Sequence, residues 1–138
     1  ALKALLQSQP VAALATLHKG DPAVSMVPFA LLPDGGGFVI HVSRLATHTG
    51  DMLANPAVAL LVTAPPDAAE SPLALPRASI QGRARQCLPD APEYERVRAA
   101  YLTDLLERDD QALPLEDSLI SVRLRGWGVA TLRLIMAK

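Results

Sequence analysis

Turn-forming clusters govern what this chain can become, because between Val11 and Cys87 they cut it into apolar runs of strand length. Val11 to Leu17 and Ala23 to Leu32 flank His18-Lys19-Gly20-Asp21-Pro22 and read as two strands joined by a hairpin. Pro33-Asp34-Gly35-Gly36-Gly37 is a second turn, where glycine supplies positive φ, and Phe38 to Val42 follows as a third strand. The first half is thus a meander. Ala57 to Thr63 is a continuous apolar run bounded by Pro56 and Pro65-Pro66, which predicts a strand buried on both faces. Arg77 to Cys87 alternates, with Ala78, Ile80, Gly82 and Ala84 opposite Ser79, Gln81, Arg83 and Arg85, as a half-exposed strand does. Ser118 to Leu124 and Val129 to Ile135, around Gly126-Trp127-Gly128, bring the count to about seven.

Helical spacing occurs in three short stretches. Leu2, Leu5 and Leu6 predict a helix that ends before Pro10 and packs as a lid. Thr47 is suited to cap a second helix, with Met52 and Leu53 on its apolar face and Asn55-Pro56 as its stop. Pro92 to Glu107 is a third, with a stripe of Val97, Tyr101 and Leu105 and a wet face of Glu93, Glu95, Arg96, Arg98 and Asp104. Strands and helices do not alternate in a βαβα rhythm. The expected fold is mainly β with short helices, an antiparallel barrel of about six to seven strands in a single domain over residues 1–138.

Charge and hydropathy narrow the partners. Thirteen Lys and Arg against fourteen Asp and Glu leave a net charge of -1, which lacks the basic footprint that neutralises nucleic-acid phosphates. Mean hydropathy is +0.22, yet the apolar runs fall far short of the roughly 20 residues needed to span a bilayer. Neither nucleic acid nor membrane is expected as a partner. The single cysteine, Cys87, can close no internal disulfide, and no signal peptide opens the sequence, so a cytoplasmic setting is expected.

Most catalytic signatures are missing. There is no phosphate-binding Gly-Lys loop, no dinucleotide G-x-G-x-x-G, no nucleophile elbow and no Cys or His pair at metal spacing. His41 and His48 have no thiol or carboxylate cluster to make a metal site with them, and Cys87 reads as a small buried hydrophobe. The informative stretch is His41 to Pro56, where a strand runs into hydroxyl-bearing residues and then into a helix start. First-turn amides, the helix dipole and the hydroxyls of Ser43, Thr47 and Thr49 can together hold an anion, with Arg44 or His48 adding a cation. The simpler alternative is that Thr47 only caps the helix.

With these residues in order, the chain resembles a known family. Val11-Ala-Ala-Leu-Ala-Thr-Leu17, Gly20-Asp-Pro22, Ser25-Met-Val-Pro28-Phe29, the His41 to Pro56 stretch and Gln81-Gly82-Arg83-Ala84 resemble the FMN-binding split barrels related to pyridoxamine 5′-phosphate oxidase. Nearly the whole chain takes part, and the branch with haem-utilisation proteins is the most similar. The resemblance implies a homodimer with FMN at the shared interface. It makes Ser43, Thr47, His48 and Thr49 phosphate contacts, with Arg44 a candidate counter-charge. It turns Ser25 and Val27 towards the ring or ribityl chain and brings Gln81 from a neighbouring strand. Trp127 either closes the site or anchors the core or dimer interface.

Two departures qualify that picture. Relatives often carry Arg or Lys in the first turn of this helix, whereas here Gly50 and Asp51 follow His48-Thr49, which is expected to weaken phosphate binding by about 1–3 kcal/mol. Arg44, Arg83 or Arg85 could compensate. The sequence also ends soon after its expected last strand, so no counterpart to the C-terminal extension of haem-degrading relatives is expected. The resulting expectation is a dimeric FMN-dependent oxidoreductase acting on a small molecule of unread identity, with no catalytic residue singled out because the flavin carries the redox chemistry. The alternatives are a non-catalytic flavin- or haem-binding protein of the same fold and a structural barrel with a degenerate flavin site.

Overall fold

The structure, a computed structural model, describes residues 2–32, 37–66, 71–108 and 119–124. Helix α1 (Leu2–Ser8) leads into β1 (Val11–His18), β2 (Asp21–Leu31) and β3 (Gly37–His41). Helix α2 (Thr47–Ala54), β4 (Ala57–Thr63), β5 (Arg77–Cys87), α3 (Tyr94–Arg108) and β6 (Leu119–Leu124) follow. All neighbouring strands run antiparallel in the order β1-β2-β3-β6-β5-β4, and β4 returns to β1 through Ala13–Leu61, Leu14–Leu60 and Ala15–Ala59 to close the barrel. The expected antiparallel barrel is therefore present, with six described strands. The expected seventh strand, Val129 to Ile135, and Trp127 lie outside the described residues.

The first hairpin is tighter than its five-residue turn cluster suggested. His18 pairs with Asp21, so only Lys19 and Gly20 turn the chain, with φ of 52° and 91°. Two consecutive positive φ values are what a two-residue turn matched to strand twist requires, and Gly20 adopts its own at no steric cost.

Strand alternation builds the core. Leu14, Val27, Phe29, Phe38, Ile40, Leu60, Val62 and Ile80 point into the barrel and are almost wholly buried. Burying each such side chain fully stabilises the fold by about 1.5–3 kcal/mol. The two ends are closed by helices: Leu5 and Leu6 of α1 join the core where β1 begins, and Met52 of α2 joins it while Asp51 meets the far end of β1. Helix α3 covers part of the outer wall, where Val97 and Tyr101 pack on Ala30, Leu32, Val39 and Cys87. Cys87 is buried in that second cluster, as its reading as a hydrophobe required, and desolvation pushes its thiol pKa up.

One strand differs from expectation. Ala57 to Thr63 buries Val58, Leu60 and Val62 but leaves Ala57, Leu61 and Thr63 exposed. The outer face of β4 carries apolar residues with no cover in the single chain, which is why the run looked buried on both sides. No helix among the described residues is long and apolar enough to cross a membrane.

Candidate functional site

On the outer wall, small residues stand side by side. Ala15 lies between Val24 on β2 and Ala59 on β4, and Ala59 lies opposite Gln81 on β5. Short side chains across three strands cannot fill the surface, and a cleft of about 390 Å³ results, lined by Ala15, Thr16, Leu17, Pro22, Ala57, Val58, Ala59, Gln81 and Gly82. That volume falls within the roughly 300–1,000 Å³ typical of small-molecule sites. Gln81 is exposed, and its amide can both donate and accept hydrogen bonds against an otherwise apolar wall. Arg83 is exposed two residues further on, in register with Ala57 of the cleft.

The turn from β3 into α2 is organised around Ser43. Its hydroxyl oxygen accepts from the Leu45 amide at 3.1 Å, and its carbonyl accepts from the Ala46 amide at 3.1 Å and the Thr49 hydroxyl at 2.6 Å. Thr49 is buried and spends its proton on that carbonyl, so its hydroxyl holds the turn in shape. Thr47 does not cap α2 as expected: the cap position is Ala46, in extended backbone without a side-chain bond, and Thr47 is the first helical residue. The chain enters the helix one residue earlier because the Ser43 turn already fixes its direction. Ser43, Arg44 and Thr47 are exposed at this helix start. His48 is half-buried, and loss of water around its ring lowers its pKa below the usual histidine value, against the opposing pull of Asp51.

Asp51 occupies a different place from the one its sequence position suggested. Its buried carboxylate is turned to β1, where Oδ2 accepts from the Thr16 hydroxyl at 3.2 Å and Oδ1 from His18 Nδ1 at 2.6 Å. Thr16 also lines the cleft, so this contact docks α2 beside it. Sequence reasoning missed the Thr16–His18–Asp51 unit because Asp51 stands more than thirty positions from Thr16 and His18 and no local motif joins them.

Of the nine residues proposed from sequence, Trp127 lies outside the described residues, and the other eight fall into separate places. Gln81 lines the cleft, while Ser43, Arg44, Thr47, His48 and Thr49 gather at the start of α2. Val27 is 2% exposed inside the barrel, on the opposite face of β2 from Val24 and Met26. Ser25 shares that inward face, and its buried Oγ has no hydrogen-bond partner among the described residues. Arg85 is paired with Glu93 ahead of α3, which makes it a poor source of counter-charge for an anion.

A closed antiparallel barrel with helices packed at its ends and a cleft on its outer wall is the split-barrel architecture. The chain belongs to the pyridoxamine 5′-phosphate oxidase family, whose model matches residues 1–126. A haem-binding protein from Mycobacterium smegmatis superposes with a TM-score of 0.72 at 30% identity, over 88% of this chain and 48% of that one. A FAD-binding protein from Mesorhizobium loti superposes with a TM-score of 0.68 at 20% identity, over 89% of this chain and 86% of that one. The non-canonical haem oxygenase HOZ of Arabidopsis thaliana is 46% identical over 50 residues, which cover 36% of this chain and 15% of the plant protein. The chain therefore spans about half the length of the mycobacterial protein and a small part of the plant one.

Proposed function

We propose that this chain is an FMN-binding flavoprotein that works as a homodimer and serves as a flavin-dependent oxidoreductase on a small molecule. The observation that carries the reading is the cleft walled by Ala15, Ala59 and Gln81, since a flat ring system needs apolar walls and a few hydrogen-bonding groups at its edge. Family membership supports the same ligand class. In this reading Gln81 holds the ring edge, and Ser43, Arg44, Thr47 and His48 meet the phosphate with hydroxyls, the helix start and one guanidinium. Thr49 keeps the Ser43 turn in shape. Ser25 and Val27 support β2 from inside, and Trp127 closes the site or anchors the interface. FMN bound there supplies hydride or electron transfer, and the chain supplies orientation and exclusion of water.

Titration of the purified chain into FMN, followed by flavin fluorescence, tests this. Binding is expected near one FMN per chain, weakened about threefold to tenfold by Ser43→Ala and by Gln81→Ala, as loss of one hydrogen bond each implies. Fluorescence that never changes refutes the reading. NADH or NADPH oxidation by the yellow protein separates an enzyme from a binder. The 30% identity to the mycobacterial haem-binding protein supports a second reading, a non-catalytic haem binder. A shifted haem absorption band with hemin, in a chain indifferent to FMN, selects that reading.

A further inference from the structure

Beside the cleft, an ordered chain of three polar groups has no part in the reading so far. Thr16 donates to Oδ2 of Asp51, and His18 Nδ1 lies 2.6 Å from Oδ1 of the same carboxylate. The Asp51 side chain is 7% exposed and that of His18 is 44% exposed. An ionised carboxylate can only accept hydrogen bonds, so in the neutral ring the proton resides on Nδ1 and the lone pair on Nε2. A base oriented by a buried carboxylate, itself held by a hydroxyl, is the arrangement that proton-transfer sites use. The location rests on Thr16, which lines the cleft: His18 is not itself a lining residue, but two positions along β1 it shares the strand face of Thr16, and both side chains meet Asp51. Its other charged neighbours are Lys19 next in the chain, Asp21 across the turn and His48 near Asp51 on α2.

We infer that His18 is a proton-transfer residue at the mouth of the cleft, acting on a ligand that bears a hydroxyl or amino group, with Asp51 as its positioning residue. The step is a simple exchange: the ligand's O–H or N–H bond breaks, the proton bonds to Nε2, and the imidazolium beside Asp51 later returns it to water. The ligand class rests on the small-molecule reading of the cleft, whereas the state of His18 does not depend on flavin.

Carbethoxylation by diethyl pyrocarbonate, followed for each histidine by peptide mass spectrometry, reads the Nε2 lone pair directly. In the chain without added FMN, His18 is expected to react faster than His41 and His48. Asp51→Asn is expected to slow it about tenfold, and Thr16→Val, which keeps the His18–Asp51 bond, about threefold. Circular dichroism checks that each variant is folded. A His18 rate unchanged in both variants, or lower than that of His48, overturns the inference. Saturating FMN is expected to shield His18. Flavin that binds and leaves His18 as reactive as before removes it from the cleft and overturns the inference, whereas failure of FMN to bind counts against the flavin reading alone and leaves the variant rates to decide.

Discussion

Gly50 is the residue at which sequence and structure meet most directly. The family resemblance implies a cation near this position, and in α2 this glycine is exposed, with nothing within 4 Å of an added Cβ. Gly50→Ala is therefore expected to raise thermal stability through helix propensity, by up to about 1 kcal/mol, and to leave FMN affinity alone. Gly50→Arg adds a charge-assisted contact for the phosphate and is expected to tighten the FMN dissociation constant at least about fivefold beyond Gly50→Ala in fluorescence titration. Equal affinities in the two variants would show that the phosphate does not sit at this helix start. His48 makes a separate prediction at the same scale. Its pKa in the folded chain lies below the unfolded value of about 6.5, so the unfolded chain binds more protons between the two. Stability then falls as pH drops from 6.5 towards the lowered value. In His48→Gln the melting temperature should decline less between pH 7 and pH 5.5 than in the wild type.

Elements were legible where a local pattern suffices. The pairing of β1 with β2 and of β2 with β3, the alternation of β5, and Val97 and Tyr101 of the α3 stripe follow from periodicity and turn residues and stand as expected. The link between α2 and β1 was not legible, because Asp51 has no cue pointing to Thr16 and His18 thirty-odd residues earlier. Thr47 misled for a related reason: a hydroxyl in the right position looks like a cap, while the turn that sets the helix start is built by Ser43 and Thr49. The contact between the two elements predicts its own energetics. Asp51→Ala strands the buried Thr16 hydroxyl and removes the carboxylate from His18, and is expected to cost about 2–3 kcal/mol in urea unfolding. Asp51→Asn keeps an acceptor for one partner and should cost less.

At the scale of the whole molecule, the outer wall decides the outcome. Val24 and Met26 on β2 are 73% and 74% exposed, and Leu61 on β4 is 43% exposed. Register places Met26, Ala13 and Leu61 in one row across three adjacent strands, next to the row of Val24, Ala15, Ala59 and Gln81, of which the last three line the cleft. A contiguous apolar patch of this kind is the surface that the proposed homodimer would bury. The β4 run read as buried on both faces because its composition answers to that surface as well as to the barrel interior. If a second copy covers the patch, the cleft becomes an enclosed site with walls from two chains, and FMN binding depends on association. Met26→Glu places a carboxylate in the row that does not line the cleft, where burial against a partner would leave it without a counter-charge. Light scattering should then give twice the 14.6 kDa chain mass for the wild type and the single mass for Met26→Glu, with FMN affinity lost alongside. A monomeric Met26→Glu that still binds FMN with wild-type affinity would show that one chain completes the cleft alone.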